Sequence, residues 1–317
     1  MRLLSKLLKQ PQAEPEPSNR SRRSDLLLNE FFDGHFYPYA EATRRRPYIV
    51  KCIYNKHVRS SLGSMRLSEL TSQVLDEWVR THIKRRYKPG TINKHIFLVN
   101  RILNVAQNWG MIDHNAYKNC VIKRLPLGDY RQRFLSEGEL HALLDACRRE
   151  QHPFLYLFAK LLILTGARSS EARLARWRDF DFQSRIWTVP VSKNGRSRRI
   201  VLSSVAVDVL GEIKVQAERL YLPHTVNDHI FINPKFRKPY ETFHLAWDRA
   251  RRRVGLNDVR MHDLRHTYAS LLINKGASIY EVQRLLGHHH VSMTERYAHL
   301  MPNTLAERVE IVAGLVK

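Results

Sequence analysis

Five short stretches, all in the C-terminal half of the chain, concentrate side chains able to hold a phosphate or move a proton. In LTGARSSEARLARW, Gly166 closes an apolar run and Arg168 stands just before a helix predicted to start near Ser169 or Ser170. A guanidinium beside free helix N-terminal amides makes an anion site. A surface ion pair between Arg168 and Glu171 accounts for the same residues more plainly. In VSKNGRSRR, Lys193, Arg196, Arg198 and Arg199 crowd one hairpin turn. A solvated basic turn that grips a phosphate backbone explains the arginines, while Lys193 sits at the strand-to-turn junction, where a sheet holds a side chain more rigidly. In MHDLRHTYASLLINKG, Asp263 reads as an N-cap, which sets His262 and Arg265 together at a helix start. The plainer alternative is a core histidine and a surface arginine. In ASIYEVQRLLGHH, Ser278 and Glu281 form a capping box and Gly287 ends the helix, so His288 follows immediately after it. In SMTERYAHLMPN, Ser292 and Glu295 form another such box, which puts Tyr297 in the second turn of a short helix stopped near Pro302. Core packing is the default for a helical tyrosine.

The run His288, His289, His290 invites a metal reading, but its spacing does not suit one. Ligands on a helix favour i, i+4 positions because those side chains share a face. Three consecutive imidazoles point in different directions, and no nearby Asp, Glu or Cys has ligand spacing. No metal site is expected.

The elements that must position these residues form two blocks. Residues 1–24 include PQAEPEPSNRSRRS, rich in Pro, Ser and charge, and read as a disordered or flexible tail. Over 25–127 apolar residues recur at helical spacing. Ile92, Ile96, Val99, Leu103 and Ala106 share one face before a stop at Gly110, and LTSQVLDEWVRTHIKRR is a second helix ending before Pro89-Gly90. This block is a small all-helical domain. LGDYRQR carries few apolar residues, and the linker is set at 128–133. From 134 to 317 the pattern is mainly α with a small antiparallel sheet. Ser136 and Glu139 cap a helix, HPFLYLFAKLLILTG is a buried helix, and RIWTVPV and RRIVLS flank the hairpin signal Asn194-Gly195.

Composition narrows the partner. The 317-residue chain has 53 Lys+Arg against 30 Asp+Glu, formally +23, which attracts polyanions and above all nucleic acid. Cys52, Cys120 and Cys147 are odd in number with no CxxC pair, as in reduced intracellular proteins. No apolar run approaches the roughly 20 residues of a membrane span.

Taken in order, Arg168, Lys193, His262, Arg265, His288 and Tyr297 resemble the signature of the tyrosine recombinases, the phage integrase family. The phrases that carry the resemblance are TGARSSE, SKNGRSR, HDLRHTYAS, LLGH and ERYAH, with nine residues from His288 to Tyr297. It covers 134 to the C-terminus, and more loosely the helical block before it, which looks like a SAM-like core-binding domain. The resemblance implies attack by Tyr297 on a DNA phosphodiester, giving a 3′-phosphotyrosyl link and a free 5′-hydroxyl, without ATP, metal or other cofactor. Arg168 and Arg265 would clamp the non-bridging oxygens and His288 would donate to the same phosphate. Lys193 is the implied general acid and His262 the implied base, with Glu171 orienting Arg168 or supporting the pocket.

Further implied are a C-shaped clamp on double-stranded DNA and a homo-oligomer, from dimer to tetrameric synaptic complex. DNA-bending accessory factors and a cytoplasmic, nucleoid-associated location in a prokaryote or phage follow as well. Leu305, Val309, Val312 and Val316 give the last helix an apolar face, for exchange with a neighbouring protomer or for packing on its own domain. With about 24 residues before the helical block, no folded arm-binding domain is expected. The basic run RRRPYIVKCIYNKHVR is expected to face DNA phosphates. A DNA-binding regulator without cleavage and a type IB topoisomerase-like relaxase are the alternatives. The complete polar set disfavours the first, and the helical first domain with the apolar C-terminal face disfavours the second.

Overall fold

The computed structural model describes residues 26–128, 133–190, 197–288 and 290–300. They fall into two compact units, 26–128 and 133–300. Lys193, His289, most of the linker, the N-terminal tail and the apolar stretch from Leu305 lie outside the described residues.

The first unit is helical. Helix α1 (Leu28–Phe31) runs through a π-turn (Phe32–Phe36) into α2 (Tyr37–Thr43), followed by α3 (Pro47–His57), α4 (Ser72–Lys84) and α5 (Pro89–Asn108). Thr71 caps α4 by accepting the Val74 N–H. Pro89, expected as a breaker, is the first residue of α5, where its missing N–H costs nothing. The expected stripe of α5 is buried at Ile92, Ile96, Val99, Leu103 and Ala106, and Gly110 follows the helix at φ 68°. On α3, Val50 and Tyr54 are buried while Arg45, Arg46, Lys51 and Lys56 in the basic run are exposed.

The second unit is built around α7 (Leu155–Thr165), which buries Leu155, Leu157, Phe158, Ala159, Leu161, Leu162 and Ile163. Around it lie α6 (Glu137–Arg148), α9 (Ser204–Arg219) and α11 (Asp263–Asn274), with α10 (His244–Arg253) against α6. Phe158 stacks on Phe243 with ring centroids 3.9 Å apart. The short α8 (Ser169–Leu174) leads to a three-stranded antiparallel sheet of β1 (Phe180–Asp181), β2 (Ile186–Val189) and β3 (Arg198–Val201). Its inner face is set by the two-residue period: Trp187, Val189 and Ile200 are buried. The last described pair is Val189 with Arg198, and the hairpin signal Asn194-Gly195 lies outside the described residues. A second pair, β4 (Ile232–Asn233) and β5 (Lys238–Pro239), follows α9. Helix α12 (Ile279–Leu286) and two 3₁₀ turns, Val291–Met293 and Glu295–Leu300, complete the described chain. The architecture is mainly α with small antiparallel sheets, as the sequence predicts.

Two local expectations are corrected. Asp263 is not the N-cap of α11: His262 occupies that position with helical backbone angles, and the buried Asp263 carboxylate accepts the Arg260 N–H at 2.8 Å. Ser292 opens no α-helix either. It lies inside the first 3₁₀ turn, and Tyr297 belongs to a separate 3₁₀ segment that begins at Glu295. A capping box satisfies the first N–H groups of a helix, and here tertiary contacts of Thr294 and Tyr297 override it. By contrast, the boxes at Ser136/Glu139 and Ser278/Glu281 form as predicted.

Gly166 ends α7 in the left-handed region at φ 59°, and a Cβ there would stand 2.5 Å from Tyr268 Cδ1 and 3.0 Å from Leu286 Cδ2. Gly110 has a similar φ of 68° with nothing within 4 Å. Gly110→Ala should therefore cost about 1 kcal/mol of backbone strain. Gly166→Ala should cost clearly more, because strain and overlap combine. Urea unfolding of the two variants checks this, and equal losses would contradict it.

Candidate active site

The ends of α7 and α12 meet at one arginine. Arg265, on the first turn of α11, is 4 % exposed and donates from Nη1 to the Gly166 carbonyl at 2.6 Å and from Nη2 to the Leu286 carbonyl at 2.7 Å. Both carbonyls belong to helix C-terminal turns, whose last carbonyls lack intrahelical partners and carry partial negative charge. Each helix turns away at a left-handed glycine, Gly166 or Gly287.

Arg198 approaches the same point from β3. Its Nη1 donates to the Leu286 carbonyl at 3.0 Å and its Nη2 pairs with Glu171 Oε2 at 2.7 Å. Glu171 also accepts from Arg168, at 2.8 Å from Nη1 and 2.9 Å from the backbone N–H. The Glu171 side chain is 6 % exposed and that of Arg168 20 %, so this pair is no surface ion pair. Two guanidiniums thus share one carboxylate and the third, Arg265, stands close by on two carbonyls, leaving excess positive charge in a partly dry site.

The electrostatics follow from that excess. Burial, with repulsion from Arg168 and Arg198 behind it, pulls the Arg265 guanidinium down to about 9, which leaves it charged at neutral pH. Burial alone would raise the Glu171 carboxyl, but Arg198 and then Arg168 hold it at about 2. His288 is pushed down to about 3 by burial and by Arg265 and Arg168, so its imidazole is neutral. Its Nδ1 lies 2.8 Å from the hydroxyl of the fully buried Thr294. With that hydroxyl donating, the His288 proton sits on Nε2, a hydrogen-bond donor.

Tyr297 is 5 % exposed, and its hydroxyl lies 2.5 Å from Nδ1 of His266. Burial raises the phenol against the opposing pull of Arg296 and Arg265. His266 is pushed down to about 4, by burial and then by His262. A protonated phenol therefore faces a neutral imidazole able to accept its hydrogen bond. His262 is exposed at the start of α11, its ring centroid 5.0 Å from that of His266 and edge-on to it.

Arg168, Arg265, His288 and Tyr297 are thus brought into one site, with His262 at its edge and Lys193 outside the described residues. His289 is likewise outside them, and His290 is exposed. Three members were not singled out in the sequence. Arg198 reads as part of a solvated turn yet is buried in the ion pair, Thr294 carries no reading of its own, and His266 lies beside the more conspicuous Arg265. The one signal for His266 was its position one residue after Arg265 on a helix start. Among the described residues no helix is long and apolar enough to cross a membrane.

This helical architecture with its small sheets is shared with solved integrase structures. Residues 133–304 match the phage integrase family, and the chain belongs to that family. It is 30% identical over 256 residues to the integrase of Salmonella phage P22, an alignment that spans 77% of this chain and 64% of that protein. It is 26% identical over 270 residues to tyrosine recombinase XerA of Saccharolobus solfataricus, covering 80% of this chain and 83% of the other. The Tn1549 transposon integrase in complex with transposon right end DNA superposes with a TM-score of 0.71 at 16% identity, over 91% of this chain and 99% of that one. A lambda integrase dimer bound to a COC′ core site gives 0.70 at 18% identity, over 93% and 84%. These two structures establish the common fold.

The Glu171 cluster gives a stability prediction with a defined sign. The folded carboxyl sits near 2 against an ordinary 4.5. Its contribution is therefore complete above about pH 4.5 and is lost as the pH falls toward 2. That difference corresponds to roughly 3 kcal/mol at neutral pH. Glu171→Gln should be destabilised relative to wild type at pH 7, and the gap should shrink as the pH drops below 4.5. Urea unfolding from pH 7 to 3.5 measures it, and a gap independent of pH would refute the ion-pair account.

Proposed function

We propose that this chain is a site-specific DNA recombinase that cuts and rejoins double-stranded DNA through a 3′-phosphotyrosyl link to Tyr297. The observation that carries the proposal is the Tyr297 hydroxyl seated on a neutral imidazole within the pocket of Arg265, Arg168 and His288.

In this reading Tyr297 Oη attacks the phosphorus, the bond to the 5′-oxygen breaks, and the 5′-hydroxyl leaves with a proton supplied by Lys193. A 5′-hydroxyl of a second strand then attacks the phosphotyrosine, releasing Tyr297 and restoring a phosphodiester. One phosphodiester replaces another at each step, so no external energy source is needed. The pentavalent transition state gathers negative charge on the non-bridging oxygens, and the surplus positive charge of Arg168 and Arg265 around Glu171 suits it. Arg265 is held rigid by two carbonyls and needs little reorganisation to act. His288 donates to the same phosphate from Nε2. His266 takes the role of proton acceptor that the family resemblance assigns to His262, with His262 close enough to pass the proton outward.

The excess of basic residues and the exposed cations of α3 support a salt-sensitive grip on duplex phosphates. Strand exchange requires a homo-oligomer on DNA, from dimer to tetrameric synaptic complex, and accessory factors that bend the target fit this picture. Action on DNA places the protein at the nucleoid. The division into a core-binding domain over 25–127, a linker and a catalytic domain from 134 is part of the same proposal, as is exchange of the C-terminal helix between protomers.

Incubation with a nicked suicide substrate tests the nucleophile. Tyr297→Phe should abolish the covalent protein–DNA band while leaving DNA binding intact, and a persisting band would overturn the assignment. The base is tested on the same substrate. His266→Gln should slow covalent attachment by about 10²-fold or more, as loss of general-base assistance does, and shift the pH–rate profile. His262→Gln should have the smaller effect, and the reverse order would return the role to His262.

A further inference from the structure

Three helices of the first unit each direct one histidine to a common point that the DNA chemistry does not use. His57 is the last residue of α3, His82 lies in the final turns of α4, and His95 lies in the second turn of α5. One ring nitrogen from each lies within 4.8 Å of the other two. His82 and His95 are 2 % exposed, and His57 is half-buried. The rings of His57 and His95 stack with centroids 4.0 Å apart, and Tyr87 closes one side, 5.3 Å from His57.

The hydrogen bonding determines what the buried nitrogens can do. His82 Nδ1 lies 2.9 Å from the Trp78 carbonyl. A carbonyl only accepts, so Nδ1 carries the proton and Nε2 carries a lone pair. That Nε2 is buried and has no hydrogen-bond partner among the described residues, and the same holds for His95 Nδ1. Buried polar atoms are ordinarily satisfied, and two unsatisfied ones on imidazoles that cluster with a third call for an explanation. A backbone carbonyl fixing one ring nitrogen while the other faces inward is also the arrangement that orients metal-ligating histidines. Burial lowers all three imidazoles, His95 to about 4, and so keeps them in the neutral, ligating form.

We propose that His57, His82 and His95 form a three-histidine site for a borderline divalent transition ion, with zinc as the fitting example. The set contains no carboxylate or thiolate, and the charges acting on it, from Lys56, Arg85 and Lys94, are cationic. Magnesium and calcium want oxygen ligands and are disfavoured, whereas imidazole suits zinc, copper and nickel. A water or a small anion completes four-coordination, and the cationic surroundings favour the anion.

Nitrogens bound to one tetrahedral zinc stand about 3.4 Å apart, given Zn–N distances near 2.1 Å. From separations within 4.8 Å, the trio therefore needs to contract by no more than about 1.4 Å. His57, half-buried at a helix end, is the member free to make that movement. The ion would tie the C-terminal end of α3 to α4 and α5, and so fix the helix that carries the exposed basic run. The trio belongs to no short motif, because its members are separated by whole helices.

The test uses the full-length, tag-free protein stripped with a chelator and then titrated with Co(II) alone, followed by Zn(II) competition. One equivalent of Co(II) should give the visible ligand-field absorption of a four-coordinate ion, Zn(II) should quench it, and Zn(II) should raise the thermal unfolding midpoint. His57→Gln should lower Zn(II) affinity by at least about tenfold, while leaving the metal-free unfolding midpoint unchanged. Wild-type protein that takes up less than one equivalent, or that gives only a six-coordinate cobalt spectrum, would overturn the proposal. So would a His57→Gln variant that binds as tightly as wild type. If that variant fails to fold, the wild-type stoichiometry and spectrum decide the question.

Discussion

The second unit is organised around a buried guanidinium. Arg265 cannot be placed in the interior unless its donors are satisfied, and two of them are used on the carbonyls of Gly166 and Leu286. Those carbonyls end α7 and α12, so one side chain ties the two helix C-termini together. Because the left-handed glycines turn the chain away at both points, the carbonyls stay accessible to the arginine. Arg198 shares the Leu286 carbonyl and brings Glu171, which in turn holds Arg168. The geometry of the arginine pocket and the packing of the helix ends are therefore the same set of contacts. Loosening the helix ends would loosen the arginines.

A surplus of buried positive charge has a cost in folding and a use in binding. With one carboxylate among three guanidiniums, the pocket keeps an unneutralised positive field that suits an anion. Burial sets the state of the histidines, and that field reinforces it. His288 and His266 are kept neutral, so they can donate or accept single protons without adding to the repulsion. Tyr297 feels opposing influences: burial holds its proton on, and Arg296 and Arg265 favour its loss. A substrate anion that changes the balance of charge would act directly on this equilibrium.

Some of this is legible in the chain, and the reasons are local. The capping boxes at Ser136 and Ser278, the buried face of α5 and the continuous apolar run of α7 depend on residues within one or two turns of each other. Arg168 and His288 are legible locally because each sits at a helix boundary with its own start or stop signal, whereas the whole set is legible through its resemblance to a family signature. Where local signals compete with tertiary contacts they fail. Asp263 looks like a cap but lies inside the helix, its carboxylate turned to the Arg260 N–H. Ser292 looks like a helix start but lies in a 3₁₀ turn beside Thr294, whose buried hydroxyl faces His288.

By itself, then, the sequence determined the class of fold, the two-block layout of helical patterns, the basic character and the types of residue available for phosphate chemistry. Only the tertiary structure decided which imidazole meets Tyr297, that Arg198 belongs in the ion-pair cluster, and that His57, His82 and His95 converge. The physical reason is range. Periodicity and capping are settled by neighbours a few residues apart, whereas Arg198 and Leu286, or His266 and Tyr297, become neighbours only after whole helices have packed.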